Sequence, residues 1–66
     1  MVEDIDIWRT ANLLLRHHGY DAPIIAAQRR DALLAAGDTN GTIIWKCIMT
    51  AIDELTRARR DGERVN

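Results

Sequence analysis

Three groups of residues in this 66-residue chain are of the kinds that hold metals, attack carbonyl carbons or read nucleic acids. The first is Asp38-Thr39-Asn40-Gly41-Thr42-Ile43, in which aspartate, asparagine, glycine and isoleucine follow one another as in a calcium loop of the EF-hand type. If Gly41 takes the sharp-turn place, the first ligand position falls on Ala36 and the last on Cys47. Neither offers an oxygen, and the last should be a bidentate glutamate. The segment therefore reads as a turn that caps a helix, not as a cation site.

The second group is His17, His18 and Cys47. Neighbouring residues on a helix point about 100° apart, so the two imidazoles cannot grip one ion together. A zinc site needs four ligands and normally a second closely spaced pair. Cys47 falls in the middle of a helical pattern, away from the free backbone N–H groups that would stabilise an oxyanion. The histidines are expected to complement the negative end of a helix dipole, and the thiol to be a small buried or half-buried side chain. No residue is assigned a catalytic, metal-binding or cofactor-binding role, and no cofactor is expected.

The third group is the arginine cluster Arg57, Arg59, Arg60 and Arg64, which follows a stretch that can be fitted to a helix-turn-helix with Gly37 in its turn. The recognition helix of that motif would open Asn40-Gly41-Thr42-Ile43-Ile44-Trp45-Lys46, with a single lysine to meet phosphates, and Asp61 and Glu63 interrupt the arginines. Nine basic and ten acidic residues leave a net charge of -1. Whole-chain charge thus draws the protein toward neither nucleic acid nor an anionic membrane surface. A nucleic-acid regulator built from the second and third helices and the C-terminal arginines remains the alternative reading.

The elements that would position these groups are set by two glycines. His18-Gly19-Tyr20-Asp21 and Ala36-Gly37-Asp38 each place a glycine just past an apolar periodic run and an aspartate one or two residues beyond it, the pattern of a helix stop followed by a helix cap. Three helices result, over about 4–18, 22–36 and 40–60, with 1–60 as a single all-α domain and 61–66 as a polar tail. The first carries Glu3, Asp4 and Asp6 at its start and Arg16, His17 and His18 at its end, each suited to the dipole. Its apolar stripe is Ile7, Trp8, Ala11, Leu14, Leu15 and His18, with Leu13 opposite and Ile5 to the side. In the second helix Asp21 is the expected cap and Pro23 sits in the first turn, where no N–H is missed. Its stripe, Ile25, Ala26, Ala32, Leu33 and Ala36, also holds Arg29, for which Asp31 or Asp38 is the expected carboxylate. The third helix has the cleanest pattern: Ile44, Trp45, Ile48, Ala51, Ile52 and Leu55 against a polar Lys46, Thr50, Asp53 and Arg57. Gly41 falls on that apolar side, where it lets another helix come close.

Of the apolar residues, which make up 47% of the chain, nine are alanines, and these add little buried area. A chain this short buries only roughly 60% of the surface its unfolded form exposes. Ile5, Leu13, Ile24, Leu34 and Ile43 lie off the stripes and are the candidate interface; Trp8, Arg29, Asp38, Gly19, Gly37, Gly41 and Trp45 are the candidate structural residues, both tryptophans being placed in the core. A homodimer is expected. The lone Cys47 and the acidic residues among the first apolar positions point to a reducing cytoplasm, and no apolar run approaches the roughly 20 residues that span a bilayer.

The spacing resembles that of a group of short helical proteins and domains of unknown function from alphaproteobacteria. The matching residues are His18-Gly19, Ala26 with Arg29 and Asp31, and Gly37, Asp38, Gly41, Trp45 and Ile48, followed by Ala51, Ile52 and Leu55. The resemblance implies an alphaproteobacterial origin and a compact helical fold, and it carries no activity. Taken together, the chain reads as a small non-enzymatic module for protein–protein interaction or regulation that associates with itself.

Overall fold

A computed structural model of the chain describes residues 3–64. Among these the only regular structure is helical: α1 spans Asp4–His18, a single 3-10 turn covers Gly19–Asp21, α2 spans Ala22–Ala35 and α3 spans Thr39–Arg64. The first helix has the predicted bounds, and the second stops one residue early at its cap, Ala36. The third runs four residues further than predicted, through the first part of the expected tail. Arginine, alanine and glutamate are strong helix formers, and the single glycine among them does not stop the helix. Val65 and Asn66 lie outside the described residues. At 1.5 Å per residue α3 is about 39 Å long, which accounts for most of the 46 Å long axis of the molecule.

The two joints are built differently. After α2, Gly37 takes φ 79°. Its N–H donates to the carbonyl of Leu34 at 3.1 Å, and that of Asp38 to Leu33 at 2.9 Å. Those two bonds are the Schellman closure, which satisfies carbonyls that the last turn of a helix leaves unpaired. Asp38 then caps α3: its Oδ1 accepts the Gly41 N–H at 2.9 Å, and its carbonyl accepts both the Thr42 N–H at 3.0 Å and the Thr42 hydroxyl at 2.7 Å. The segment fitted to a calcium loop is therefore the start of a helix, with Thr39 to Ile43 already helical.

At the first joint Gly19 also has positive φ, 55°, but its ψ of -123° lies outside the left-handed helical region. The chain turns once as a 3-10 helix and passes straight into α2. Asp21 does not serve as the cap expected of it. Its backbone is already helical, at φ -83° and ψ -9°, and its side chain accepts no capping hydrogen bond.

Both α1 and α2 pack on α3, α2 the more extensively, and they touch each other little. The buried apolar residues among those described are Ala11, Ala22, Ala26, Ile48, Ala51 and Ile52. Ile52 is the one large side chain fully removed from water. Ile7, Leu14, Leu15, Ile44, Trp45, Met49 and Leu55 pack around this centre. The stripe predicted for α3 is thus the stripe found. Thr42 is buried beside it, its hydroxyl satisfied by the Asp38 carbonyl.

On α2 the buried row is Ala22 and Ala26, continued by half-buried Arg30 and Leu33, whereas Ala32 and Ala36 are exposed. The predicted stripe is met at buried Ala26 and half-buried Ile25 and Leu33, and missed at Arg29, Ala32 and Ala36. One residue is about 100° of helix, so Arg29 is exposed and Arg30 takes the half-buried place. Arg30 donates from Nε and Nη2 to Asp31 Oδ1 at 3.1 and 2.9 Å, and its Nη1 lies 3.7 Å from the Met49 sulfur. The carboxylate expected for Arg29 therefore serves its neighbour. Gly41 does allow close approach: a Cβ there would lie 3.0 Å from Leu33 Cδ1 and 2.9 Å from Asp38 Oδ2.

Candidate interaction surface

Among the described residues, alanines make up most of the buried centre, and several large apolar side chains lie outside it. Of the six buried apolar residues among those described, four are alanines, while Ile5, Trp8, Leu13, Tyr20, Ile24, Leu34 and Ile43 are exposed. Alanine brings helix backbones together but removes little apolar area from water, and each aliphatic side chain left half exposed forgoes part of the roughly 1.5–3 kcal/mol that full burial yields. All five residues proposed from the sequence as interface are in this exposed set. They sit on three helices, with Ile5 and Leu13 on α1, Ile24 and Leu34 on α2, and Ile43 on α3.

Two aromatic residues join them that sequence reasoning did not place there. Trp8 was expected in the core and is 39% exposed. It stands at the margin of the stripe of α1, whose one buried residue is Ala11. Trp45, by contrast, is half-buried against the core. Tyr20, in the turn between α1 and α2, is 99% exposed. Its place right after a helix-stopping glycine, outside any periodic stripe, was the available signal.

The groups with chemical potential are scattered. His17 and His18 are exposed on α1, and Cys47 is exposed on α3, not buried as expected. Cys47 follows Ile43 by one helical turn, on the side of α3 turned away from the core. No group of three or more metal-ligating side chains gathers among the described residues. Of the C-terminal arginines, Arg57 pairs with Asp53 at 3.0 Å along the helix, while the side chains of Arg59, Arg60 and Arg64 lie outside the described residues. No helix is long and apolar enough to cross a membrane among the described residues.

Charge is sorted on one helix. α1 has Asp4 and Asp6 in its first turn and Arg16, His17 and His18 in its last, whereas α2 has no acidic residue in its first turn and no basic residue in its last. Ile5, Arg9 and Leu13 follow one another at four-residue spacing along the outer side of α1, forming a ridge of the type that packs into the grooves of a neighbouring helix. Arg9 is 71% exposed, and its nearest carboxylate is Asp6, at 4.0 Å.

The accessible surface of the molecule is 5185 Å². A compact monomer of 7.5 kDa is expected to expose about 4,200 Å². Part of the difference is the end of α3 that outruns the other helices, and part is the row of aliphatic side chains left outside. No protein-family model matches the chain, and neither a curated protein nor a solved structure does.

Proposed function

We propose that this chain is a small non-enzymatic interaction module of three helices whose first partner is a second copy of itself. The observation that carries the reading is the inverted burial: alanines dominate the interior, and seven large apolar side chains stand outside. Scattered surface leucines are ordinary. A fold in which large aliphatic residues are more numerous outside than in the buried centre has left hydrophobic stabilisation unused, and a partner surface recovers it. These side chains make up part of the area by which the chain, at 5185 Å², exceeds a compact monomer of its mass. A regulatory role fits a module of this kind, working in the cytoplasm, where the exposed Cys47 thiol stays reduced.

The test is the dependence of size and stability on protein concentration. Sedimentation equilibrium from low to high micromolar should show a monomer–dimer transition, and the melting temperature should rise with concentration, because association stabilises only the folded form. A single monomeric species at high micromolar, with a constant melting temperature, overturns the reading. The alternative, a nucleic-acid regulator, is tested in the same preparation by a mobility shift with duplex DNA across a salt series. Binding at low salt that falls steeply as salt rises would put that reading in its place.

A further inference from the structure

We infer that Gly19 is a one-residue hinge through which two copies exchange α1, each α1 leaving its own α3 and taking the same place on the α3 of the second copy. The inference rests on the self-association proposed above and gives its route. The joint between α1 and α2 is helical on both sides of a single residue. Gly19 still donates its N–H to the Leu15 carbonyl, continuing the last turn of α1, and His18, Asp21 and Ala22 all have right-handed helical backbone. Gly19 alone, at φ 55° and ψ -123°, breaks the run. Rotating that residue into the helical region fuses α1, the 3-10 turn and α2 into one helix over 4–35.

The core-facing residues keep a single phase through the joint. Ala11, Leu15, Ala22, Ala26 and Leu33 follow one another at spacings of 4, 7, 4 and 7, so on a continuous helix they fall within about 60° of each other. All five are buried or half-buried in the folded chain. The apolar side of such a helix is longer than its own α3 can cover. α2 is about 21 Å long, and the apolar residues of α3, which end at Leu55, extend about 24 Å from its start. Beyond Leu55 come Thr56, Arg57, Arg59, Arg60 and Asp61. The α1 half of an opened helix therefore has no apolar seat on its own chain, while the cluster that Ala11 shares with Ile48, Ala51 and Ile52 is left without its α1 side. The α1 of a second copy is already fitted to that place.

Release breaks only apolar packing. Among the described residues the side-chain bonds of α1, from Thr10 to the Asp6 carbonyl and from Arg9 to Asp6, stay within the helix. Exchange restores in the pair the contacts that it breaks in the monomer, so the conformation of Gly19 sets the balance between the two, and short joints are the ones that invite exchange.

The test is a distance within one chain, read between spin labels at Asn12→Cys and Ala35→Cys in the full chain with Cys47→Ser. Both positions are exposed. On a continuous helix they stand about 35 Å apart, and they are nearer while the chain turns at Gly19. Dimers formed with an excess of unlabelled chain should show the longer distance, and dilute monomer the shorter one. Gly19→Ala should tighten dimerisation about 30-fold or more in sedimentation. Its methyl meets nothing within 4 Å, so it acts on the backbone alone, straining the turned form and favouring the helical one.

Dimers that keep the shorter distance would overturn the exchange and leave self-association standing. The longer distance in the monomer would overturn it too, since α1 would then open without a partner. Unchanged or weaker dimerisation of Gly19→Ala would overturn the hinge. A wild-type chain that stays monomeric at every concentration would remove both the inference and the reading beneath it.

Discussion

The half of the molecule made by α2 and α3 is closed in the way that the half containing α1 is not. Between α2 and α3 the chain turns through a complete Schellman closure, Asp38 caps the helix that follows, and Leu33 comes against the backbone at Gly41. Between α1 and α2 the chain turns through one uncapped 3-10 turn, with Tyr20 wholly in water. α3 gathers Ile44, Ile48, Ile52 and Leu55 on one side, buries two of them and leaves Ile43 outside. α1 buries only an alanine and leaves Ile5, Trp8 and Leu13 outside. One sequence thus contains a helical hairpin with its local hydrogen bonding in order and a third helix with a face to spare. Self-sufficiency in so short a chain is unevenly spread, and the incomplete part is where a partner is to be sought.

Mutations that separate the two halves test this contrast. The largest effect should come from Ile52→Ala, which empties the one fully buried large side chain. A loss of about 3 kcal/mol is expected in urea unfolding, a large share of the roughly 3–10 kcal/mol that a chain of this length commands. Next is Gly37→Ala. Nothing lies within 4 Å of the added methyl, so its cost is the backbone strain of positive φ alone, about 1–2 kcal/mol.

Asp38→Ala should then cost about 1 kcal/mol, the value of a helix cap. The matching change at the other joint, Asp21→Ala, should stay within about 0.5 kcal/mol, as for a surface position free of special features. Equal losses at the two aspartates would erase the difference between the joints. The smallest change in the stability of the isolated monomer should come from Leu13→Asp, also within about 0.5 kcal/mol. A large loss of monomer stability there would mean that α1 is as fully packed as α3.

Helix number, the α1 bounds, the two glycine joints and the buried side of α3 were all legible in the sequence. Their causes are local: a glycine past an apolar run, a 3.6-residue period, an aspartate three residues ahead of an unpaired N–H. The off-stripe residues Ile5, Leu13, Ile24, Leu34 and Ile43 could also be picked out, since angular position on a helix follows from sequence alone. Two aspartates in similar settings nevertheless behave differently. The closure at Gly37 leaves Asp38 outside both helices, just ahead of α3, while the 3-10 turn Gly19–Asp21 gives Asp21 a helical backbone where it was expected to cap.

What the amino-acid sequence determined by itself is therefore what depends on neighbours within about one helical turn, namely the breaks at Gly19 and Gly37, the bounds of α1 and the angular order of residues along each helix. Tertiary structure decided how deep each side chain sits. The choice of Arg30 over Arg29 for the half-buried place, the exposure of Trp8 and Cys47, and the burial of Thr42 all depend on the angle at which one helix meets another. A rotation of a few tens of degrees about a helix axis leaves every local hydrogen bond intact while exchanging which residues face the core, so only the packed assembly of all three helices could select among them.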